Sequence, residues 1–551
     1  MVRVFKGLCR KGQKPAPTKF KKENWVKILG NSDDPWHKII LDGIISGFKL
    51  GINPNNMPEL NTKPVVYSLD LDAKIAIVSI LIDDIKKGYM IPCARKDIKY
   101  IAPFFTVEKQ DSKTGHRIVK DFAFSDGYIP SLNDCIPSEH TRVEYPTTRN
   151  VVSKADRNNC VARMDLKSWY RQLQLHPSIR KYFGHYFEGE YLYDTRIPFG
   201  LSSACLYAQK TSETILDIAK LRFIDPNKDL SVYVDDFMLF EMTLKAGNIL
   251  VRDMLRTYDW LGVVVSHHKT LKPATKSVLL GFEYDLIAKE ISITEKRINK
   301  YTNEIDILLN KCNFISNKCQ NKVSYAEVES LIGKLQWTAI ILWPGKAFLN
   351  RIRKPLITYN RGQSFYLKNN NIKDLNWWKY YYKMLVGLPF SVVLGTFIRI
   401  KGVLRTDASN WGIGCIWGSH WISMAFNDKL FNEDIASKEI YAIFVAFEAW
   451  KGYFSGKEVH LRVDSKHARA ALIHKKDRKP LRMDMIRALC MIAMKYRIYF
   501  YVEWIPSRDN KCADLLSRNQ VEICKLYSDV NLGLLLDDNC YINKLPDIPL
   551  Y

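Results

Sequence analysis

Ser231-Val-Tyr-Val-Asp-Asp-Phe-Met-Leu239 places two adjacent acids, Asp235 and Asp236, inside an apolar, β-branched and aromatic run. A strand that buries its flanks carries two central carboxylates at a cost unless something neutralises them. A divalent cation does this, and Asp-Asp at the tip of a tight hairpin supplies the hard oxygen donors that magnesium prefers. The competing reading is a surface turn with two solvated acids. Further carboxylates and a nucleotide pocket elsewhere in the chain decide between the two.

A second acid stands upstream. Met164-Asp165-Leu-Lys-Ser-Trp-Tyr170 ends an apolar run on Asp165, so Asp165 and Asp235 on neighbouring strands would bridge two magnesium ions ~4 Å apart. Composition agrees with a polyanionic partner. The 551 residues carry 82 Lys and Arg against 58 Asp and Glu, a formal charge of +24. Such an excess draws the chain to phosphate backbones, and the 13 Trp, 29 Tyr and 25 Phe offer faces for base stacking. The twelve cysteines are scattered, with no Cys-x-x-Cys, so neither a zinc knuckle nor a disulfide framework is expected, and an intracellular setting, cytoplasmic or nuclear, follows. No signal peptide and no uncharged apolar run of ~18 residues is visible, which argues against a membrane.

The coarse pattern is α/β. Residues 1–24 read as a flexible basic arm. Residues 72–88 read as an amphipathic helix closed by Gly88, and 101–122 as two strands joined by a turn. Residues 160–175 and 229–240 are the strongest strand candidates thereafter. Ser324-Tyr-Ala-Glu327 is a capping box opening a helix to about Trp343, before Pro344. The aromatic cluster at 377–382 reads as packing more readily than base stacking. Strands return near Arg399, followed by a long helix from about Ile435 to Phe454.

Taken in order, these blocks resemble reverse transcriptases. Lys109 and Arg117-Ile-Val-Lys-Asp-Phe122 resemble the fingers hairpin that clamps the incoming triphosphate. Asp165 and Tyr170 resemble the first catalytic acid and the aromatic gate that selects deoxynucleotides. Ile197-Pro-Phe199-Gly200, with Gln209, resembles the segment beneath the template base and the nucleotide. Tyr233-Val-Asp235-Asp236 resembles the metal-binding hairpin, Lys269 a basic general acid near the pyrophosphate, and Gly281-Phe282 the hairpin that grips the primer. Singly, Lys109 and Lys269 read as surface lysines and Pro198-Phe199-Gly200 as a generic turn; the order of the blocks carries the resemblance. Asp235 with Asp165 is expected to ligate metal directly, with Asp236 as a supporting charge within the same metal site.

Four more acids follow. Asp407 and Asp464 end apolar strand runs, Glu439 lies on a helix, and Asp514 follows the loop Pro506-Ser-Arg-Asp-Asn-Lys511. The order Asp, Glu, Asp, Asp resembles ribonuclease H, where these acids hold two metal ions that activate water against an RNA phosphate. That loop lacks the histidine ribonucleases H often carry, which leaves cleavage less secure than polymerisation. His474-Lys-Lys-Asp-Arg-Lys479 with Arg482 would grip the hybrid backbone or remain a solvated loop.

The resemblance implies an α/β multidomain chain: a right-hand polymerase of fingers, palm and thumb, a connection, and an RNase H-like α/β domain. Boundaries are expected at 1–24 for the arm, 25–95 for an N-terminal lead, 96–290 for fingers and palm, 291–398 for thumb and connection, 399–520 for the RNase H domain and 521–551 for the tail. It implies an RNA-directed and DNA-directed DNA polymerase that also cleaves the RNA of hybrids. Its cofactor would be Mg2+, two ions per active site, with Mn2+ as a substitute. Its partners would be RNA template, DNA primer, RNA–DNA hybrid and dNTPs; no oligomer interface is legible. Lys296, Arg297, Lys300 and Lys334 would track duplex phosphates. The wording at Ile44–Phe48, Val328–Leu335 and Ala513–Arg518 is most like DIRS-type retrotransposons. The alternative is a domesticated nucleic-acid-binding protein with little or no catalysis, against which the seven intact acids stand.

Overall fold

A computed structural model describes residues 1–65, 67, 69–108, 116–125, 127–311, 314–315, 318–319, 321–384, 387–396 and 398–549, with the side chains of 108, 116, 117, 314, 315, 318, 319 and 429 left aside. The chain forms two compact units. One comprises Met1–Leu280 and Tyr284–Lys289, the other Gly281–Glu283 and Glu290–Tyr551.

The first unit is built on an antiparallel sheet of four strands, in the order Leu230–Tyr233, Asp236–Glu241, Cys160–Asp165, Leu271–Ala274. Helices Ala204–Arg222 and Leu244–Leu261 pack on it, burying Ile215, Ile218, Met254 and Tyr258 against Met164, Phe237 and Leu239. The strand expected over 160–175 stops at Asp165. Ser168 turns the chain with φ of 48°, and Trp169–Gln172 is one short helical turn. The sequence suggested strand there because Trp169, Leu173 and Leu175 are all buried, but they are core residues of a turn and a loop. Strands Phe104–Glu108 and His116–Lys120 pair as the expected hairpin. Helix Leu71–Lys86 is capped by Asp70, whose Oδ1 accepts from the Ala73 N–H at 2.7 Å, and it ends before Gly88, at φ of 63°.

The basic arm is not free. Val2–Cys9 is a helix that buries Phe5 edge-on against Phe187. Arg196 Nη2 donates to the carbonyls of Ala16 and Pro17 at 2.9 Å each, and the Lys21 N–H donates to Leu261 O at 3.0 Å. Phe20 and Trp25 then enter the core beside Trp169. Lysines dominate the arm's composition, but its aromatics determine where it lies.

The second unit opens with helices Glu295–Lys311 and Tyr325–Thr338. Ser324 and Glu327 form the expected reciprocal cap, with Ser324 N–H to Glu327 Oε2 at 2.9 Å and Glu327 N–H to Ser324 Oγ at 3.2 Å. That helix ends at Thr338 rather than Trp343, and Gly345–Arg353 begins a new one behind Pro344. Trp377, Trp378 and Tyr382 are buried on helix Asn369–Lys383, with Trp377 stacked on Phe348.

A five-stranded sheet completes the unit. Antiparallel strands His420–Ala425, Gly412–Trp417 and Leu404–Ala408 continue into parallel strands Glu458–Val463 and Tyr499–Trp504. Helix Ile435–Phe454 buries most of its length against this sheet. Gly414 lets helix Lys511–Ser517 approach, since a Cβ there would lie 2.1 Å from Ala513 O. The C-terminal tail lies along the outer strand. The Tyr541 N–H donates to Trp421 O, the Asp537 N–H to Ser419 O at 2.9 Å, and Trp421 Nε1 to Asp537 O at 2.6 Å. Among the described residues no helix is long and apolar enough to cross a membrane.

Candidate active sites

Val234 and Asp235 form the tip between strands Leu230–Tyr233 and Asp236–Glu241, with Tyr233 opposite Asp236. Val234 takes φ of 56°, an unfavourable region for a β-branched residue. Helix Ala204–Arg222 holds it there. Gln209 Oε1 accepts from the Val234 N–H at 2.7 Å, Gln209 Nε2 donates to Val232 O at 3.1 Å and to Glu213 Oε1 at 2.9 Å, and the Ser212 hydroxyl donates to Val234 O. Gln209 was expected at the nucleotide; its buried carboxamide is instead occupied in bracing the acidic tip.

Asp165 ends its strand opposite Asp236, and the Leu166 N–H donates to Asp235 O at 3.1 Å, which sets Asp165 beside Asp235. Burial, then the Asp165 charge, then Asp236, push the Asp235 carboxyl above its ordinary pKa, against Lys269. Burial also raises Asp236, although Arg163 opposes it by donating to both carboxylate oxygens at 2.9 Å each. Lys269 Nζ lies 3.5 Å from Asp165 Oδ2 and is half exposed.

Tyr170 packs its ring on Phe199, with centroids 5.0 Å apart, and its hydroxyl meets Cys205 Sγ at 3.2 Å. Burial raises the Tyr170 pKa, so the hydroxyl stays protonated. Gly200, at φ of 102°, sits where a Cβ would be 2.0 Å from Lys120 O. Asn133 staples this turn, with Nδ2 to Gly200 O at 3.1 Å and Oδ1 from the Ser202 N–H at 2.9 Å. Nothing in the sequence around Asn133 signals that role. Lys109 and the side chain of Arg117 lie outside the described residues.

In the second unit Phe282 stacks face to face on Trp337, with centroids 3.9 Å apart and planes 7° apart, and the Arg297 guanidinium covers the same indole at 4.6 Å. Gly281, at φ of 91°, leaves room for Arg297, whose Nη1 would lie 1.9 Å from an added Cβ. Arg297 therefore supports Phe282 through Trp337, and Lys334 is paired with Glu304 at 2.6 Å. Lys296 and Lys300 remain exposed on the same helix as Arg297.

The later acids gather at one end of the five-stranded sheet. Asp407 lies on the central strand, and the Ser517 hydroxyl donates to its Oδ2 at 2.8 Å. Asp464 follows the neighbouring strand, and Asn510 Nδ2 reaches its Oδ1 at 3.3 Å and Thr406 O at 3.0 Å. Burial, then the charges of Asp464 and Asp514, push Asp407 up to about 7. Burial and Asp464 raise Glu439 on its helix, with Ser465 opposing. Asp514 accepts from Arg518 Nε at 2.8 Å. Asn510 and Ser517 escaped the sequence reading, though both fall in the segment that contains Asp514. The loop without histidine forms a single turn, Ser507–Asp509, that exposes Arg508. Of the basic loop, Lys479 is taken by Asp434 at 2.7 Å and by Glu433.

Among the described residues no three His, Cys, Asp or Glu side chains converge closely enough to enclose a metal from protein atoms alone. Magnesium does not need that: it binds through one or two carboxylates and takes its other oxygens from substrate phosphates and water. Asp235, raised by the neighbouring Asp165 charge, and Asp407, raised by Asp464, belong to close carboxylate pairs that fit such a cation.

Residues 107–284 match the family of reverse transcriptases (RNA-dependent DNA polymerases), and residues 400–493 match the RNase H-like domain found in reverse transcriptase. The genome polyprotein of Petunia vein clearing virus is 26% identical over 140 residues, 25% of this chain and 6% of the polyprotein. The retrovirus-related Pol polyprotein from transposon 297 of Drosophila melanogaster is 26% identical over 155 residues, 27% of this chain and 14% of that protein. The matches thus span only a small part of these relatives. Among solved structures, a foamy viral protease-reverse transcriptase in complex with RNA/DNA hybrid aligns with 90% of this chain and 64% of its own, at 14% identity and a TM-score of 0.46. The acids of the first site and the Tyr170–Phe199 pair fall within the first match, and Asp407, Glu439 and Asp464 within the second. The chain therefore joins a reverse transcriptase domain to an RNase H-like domain of the kind found in reverse transcriptases.

Proposed function

We propose that this chain is an RNA-directed and DNA-directed DNA polymerase that also hydrolyses the RNA strand of RNA–DNA hybrids, as part of the replication of a retroelement. The observation that carries the reading is the pairing of Asp165 with Asp235 beside the Tyr170–Phe199 wall in one domain. A second set of acids, Asp407, Glu439 and Asp464 within the RNase H-like match and Asp514 after it, supports the nuclease, with Asp464 and Asp514 raising Asp407.

Asp165 and Asp235 would hold magnesium in the first site, with Asp236 fixed behind them by Arg163, and the four later acids would hold it in the second. Bound there, the metal neutralises phosphate charge and lowers the pKa of an attacking hydroxyl or water. The rest of the chemistry belongs to the chain. The Tyr170 ring closes the side of the pocket where a ribose 2′-hydroxyl would sit, so the substrate is a dNTP. Lys269, an ammonium beside Asp165, is placed to pass a proton to departing pyrophosphate. Gln209 and Ser212 keep the acidic tip in its strained turn, so the acids are ordered before substrate arrives. The Phe282–Trp337–Arg297 stack makes a rigid wall for a primer terminus. The wording of residues 44–48, 328–335 and 513–518 supports a DIRS-type element, and the thiol chemistry supports an intracellular setting.

Primer extension with dNTPs and magnesium on an RNA template tests the polymerase, and release of RNA fragments from a labelled hybrid tests the nuclease. Extension lost in Asp235→Asn and cleavage lost in Asp464→Asn, each with the other activity intact, is the expected pattern. No extension by the wild type, or full extension by Asp235→Asn, refutes it.

A further inference from the structure

Around Arg171, which follows Tyr170 in the chain, lies a buried group of five ionisable side chains that no catalytic step uses. Lys120, the last residue of strand His116–Lys120, donates to both oxygens of Asp194 at 2.6 Å. Arg171, directly after Tyr170, donates to Asp194 Oδ1 and to Asp84 Oδ2, at 2.7 Å each. His185 Nε2 lies 2.7 Å from Asp194 Oδ2, and its Nδ1 lies 3.0 Å from Ala102 O. Asp194 and His185 are wholly inaccessible, Lys120 is 4% exposed, and Arg171 and Asp84 are 13% exposed. One ammonium and one guanidinium face two carboxylates, so the group is balanced.

Burying such pairs gives little net stability, because desolvation offsets the attraction; what they enforce is geometry. Here the geometry is that of the pocket. Asp194 ends strand Glu190–Asp194, and Thr195 and Arg196 link it to Ile197-Pro-Phe199-Gly200. Lys120 meets the stretch from Asp194 to Gly200 at both ends, by its side chain at Asp194 and by its carbonyl under Gly200. Arg171 ties the same carboxylate to the one-turn helix that presents Tyr170, and through Asp84 to helix Leu71–Lys86. One carboxylate therefore joins the fingers strand, the Phe199–Gly200 turn and the Tyr170 helix, which come from sequence positions up to 80 residues apart.

We propose that Lys120, Arg171 and Asp194 are positioning residues that set how closely Tyr170 and Phe199 meet the sugar of the incoming nucleotide, and so tune dNTP affinity and the rejection of ribonucleotides. The proposal rests on the polymerase reading above.

The test is single-nucleotide incorporation by the full chain, with dNTP and with the matching rNTP, in wild type, Arg171→Lys and Asp194→Asn. Arg171→Lys keeps the charge but loses the fork that spans Asp84 and Asp194. It should raise the dNTP KM by about fivefold or more and lower dNTP-over-rNTP selection by a similar factor, with kcat changed by less than about twofold. Hybrid cleavage by the same preparation, a property of the other unit, should not change. A merely structural role would lower the active fraction, and hence kcat, while leaving KM and selection as in wild type; that result overturns the proposal. If Asp194→Asn does not fold, the apolar pair Lys120→Met with Asp194→Leu keeps the core filled without the charges. It must show the same KM and selection shifts, and wild-type values there also overturn the proposal. Failure of the wild type to extend a primer refutes the polymerase reading instead, so the two failures are distinct.

Discussion

Arg163 donates to both carboxylate oxygens of Asp236 at 2.9 Å, while the adjacent Asp235 has its carboxyl pushed up by burial and by Asp165. Two neighbouring acids in one hairpin therefore have different surroundings, one neutralised by protein and the other suited to an external cation. Asp235→Asn should lower the rate of nucleotide incorporation by ~10³-fold or more, the effect of losing a metal ligand. Asp236→Asn should retain activity within ~10-fold, since its ion pair is partly exposed and worth ~1 kcal/mol. Pre-steady-state incorporation rates for the two variants check the difference, and equal losses would contradict it.

The Tyr170 hydroxyl is turned to Cys205, so the proposed gate role falls to its ring. Tyr170→Ala should admit ribonucleotides, reducing discrimination by roughly 10–200-fold, the range for a steric difference of a few kcal/mol. Tyr170→Phe keeps the ring and should discriminate nearly as well as wild type. Ratios of kcat/KM for dNTP and rNTP measure both, and unchanged discrimination in Tyr170→Ala would remove the gate assignment.

Trp337 stacks on Phe282 and carries the Arg297 guanidinium over its ring. Trp337→Ala removes an aromatic stack worth ~1 kcal/mol and a cation–π contact of similar size. The expected result is primer dissociation faster by roughly tenfold or more, with shorter products in single-binding-event extension and little change in dNTP KM. A dNTP effect without a processivity effect would place the stack elsewhere in the mechanism.

Asp434 caps the helix that carries Glu439, accepting from the Ser437 N–H at 2.9 Å, and it also receives Lys479. Burial alone would raise its carboxyl; Lys479 and the Ser437 groups overcome this and hold it below the ordinary carboxylate range. A depressed carboxylate stabilises the folded state above the unfolded-state pKa of about 4, and that stabilisation is lost as pH falls further. Asp434→Ala should cost ~1 kcal/mol near neutral pH. The penalty should shrink below about pH 4. Melting curves of both proteins at neutral and acidic pH read this directly; a penalty independent of pH would mean the cap works without its charge.

The acids were legible because apolar strands leave them few other uses: Asp165, Asp235, Asp407 and Asp464 each interrupt or end a hydrophobic run. The hairpin, the capping box at Ser324 and the long helix from Ile435 were legible for similar local reasons. Long-range roles were not. Gln209 is a residue type that suits a nucleotide or a backbone equally, and only the fold shows that it grips Val232 and Val234. Lys120 and Asp194 meet across 74 residues of sequence, and a lysine at the end of a strand carries no mark of burial. The arm misled because charge dominates its composition, whereas Phe5 and Phe20, two residues among many lysines, anchor it. Asn510 and Ser517 orient Asp464 and Asp407 by hydrogen bonds that no spacing rule announces.

The tail also has a practical consequence for handling the protein. A chain shortened to Arg518, where the last motif ends, would uncover the Trp421 indole and the free edge of strand His420–Ala425. An unpaired, apolar edge strand is a template for pairing with other chains, so such a fragment should precipitate or form soluble oligomers even with all seven acids in place. Residues 519–549 would then shield that edge, and a fragment made for study of the nuclease should keep them.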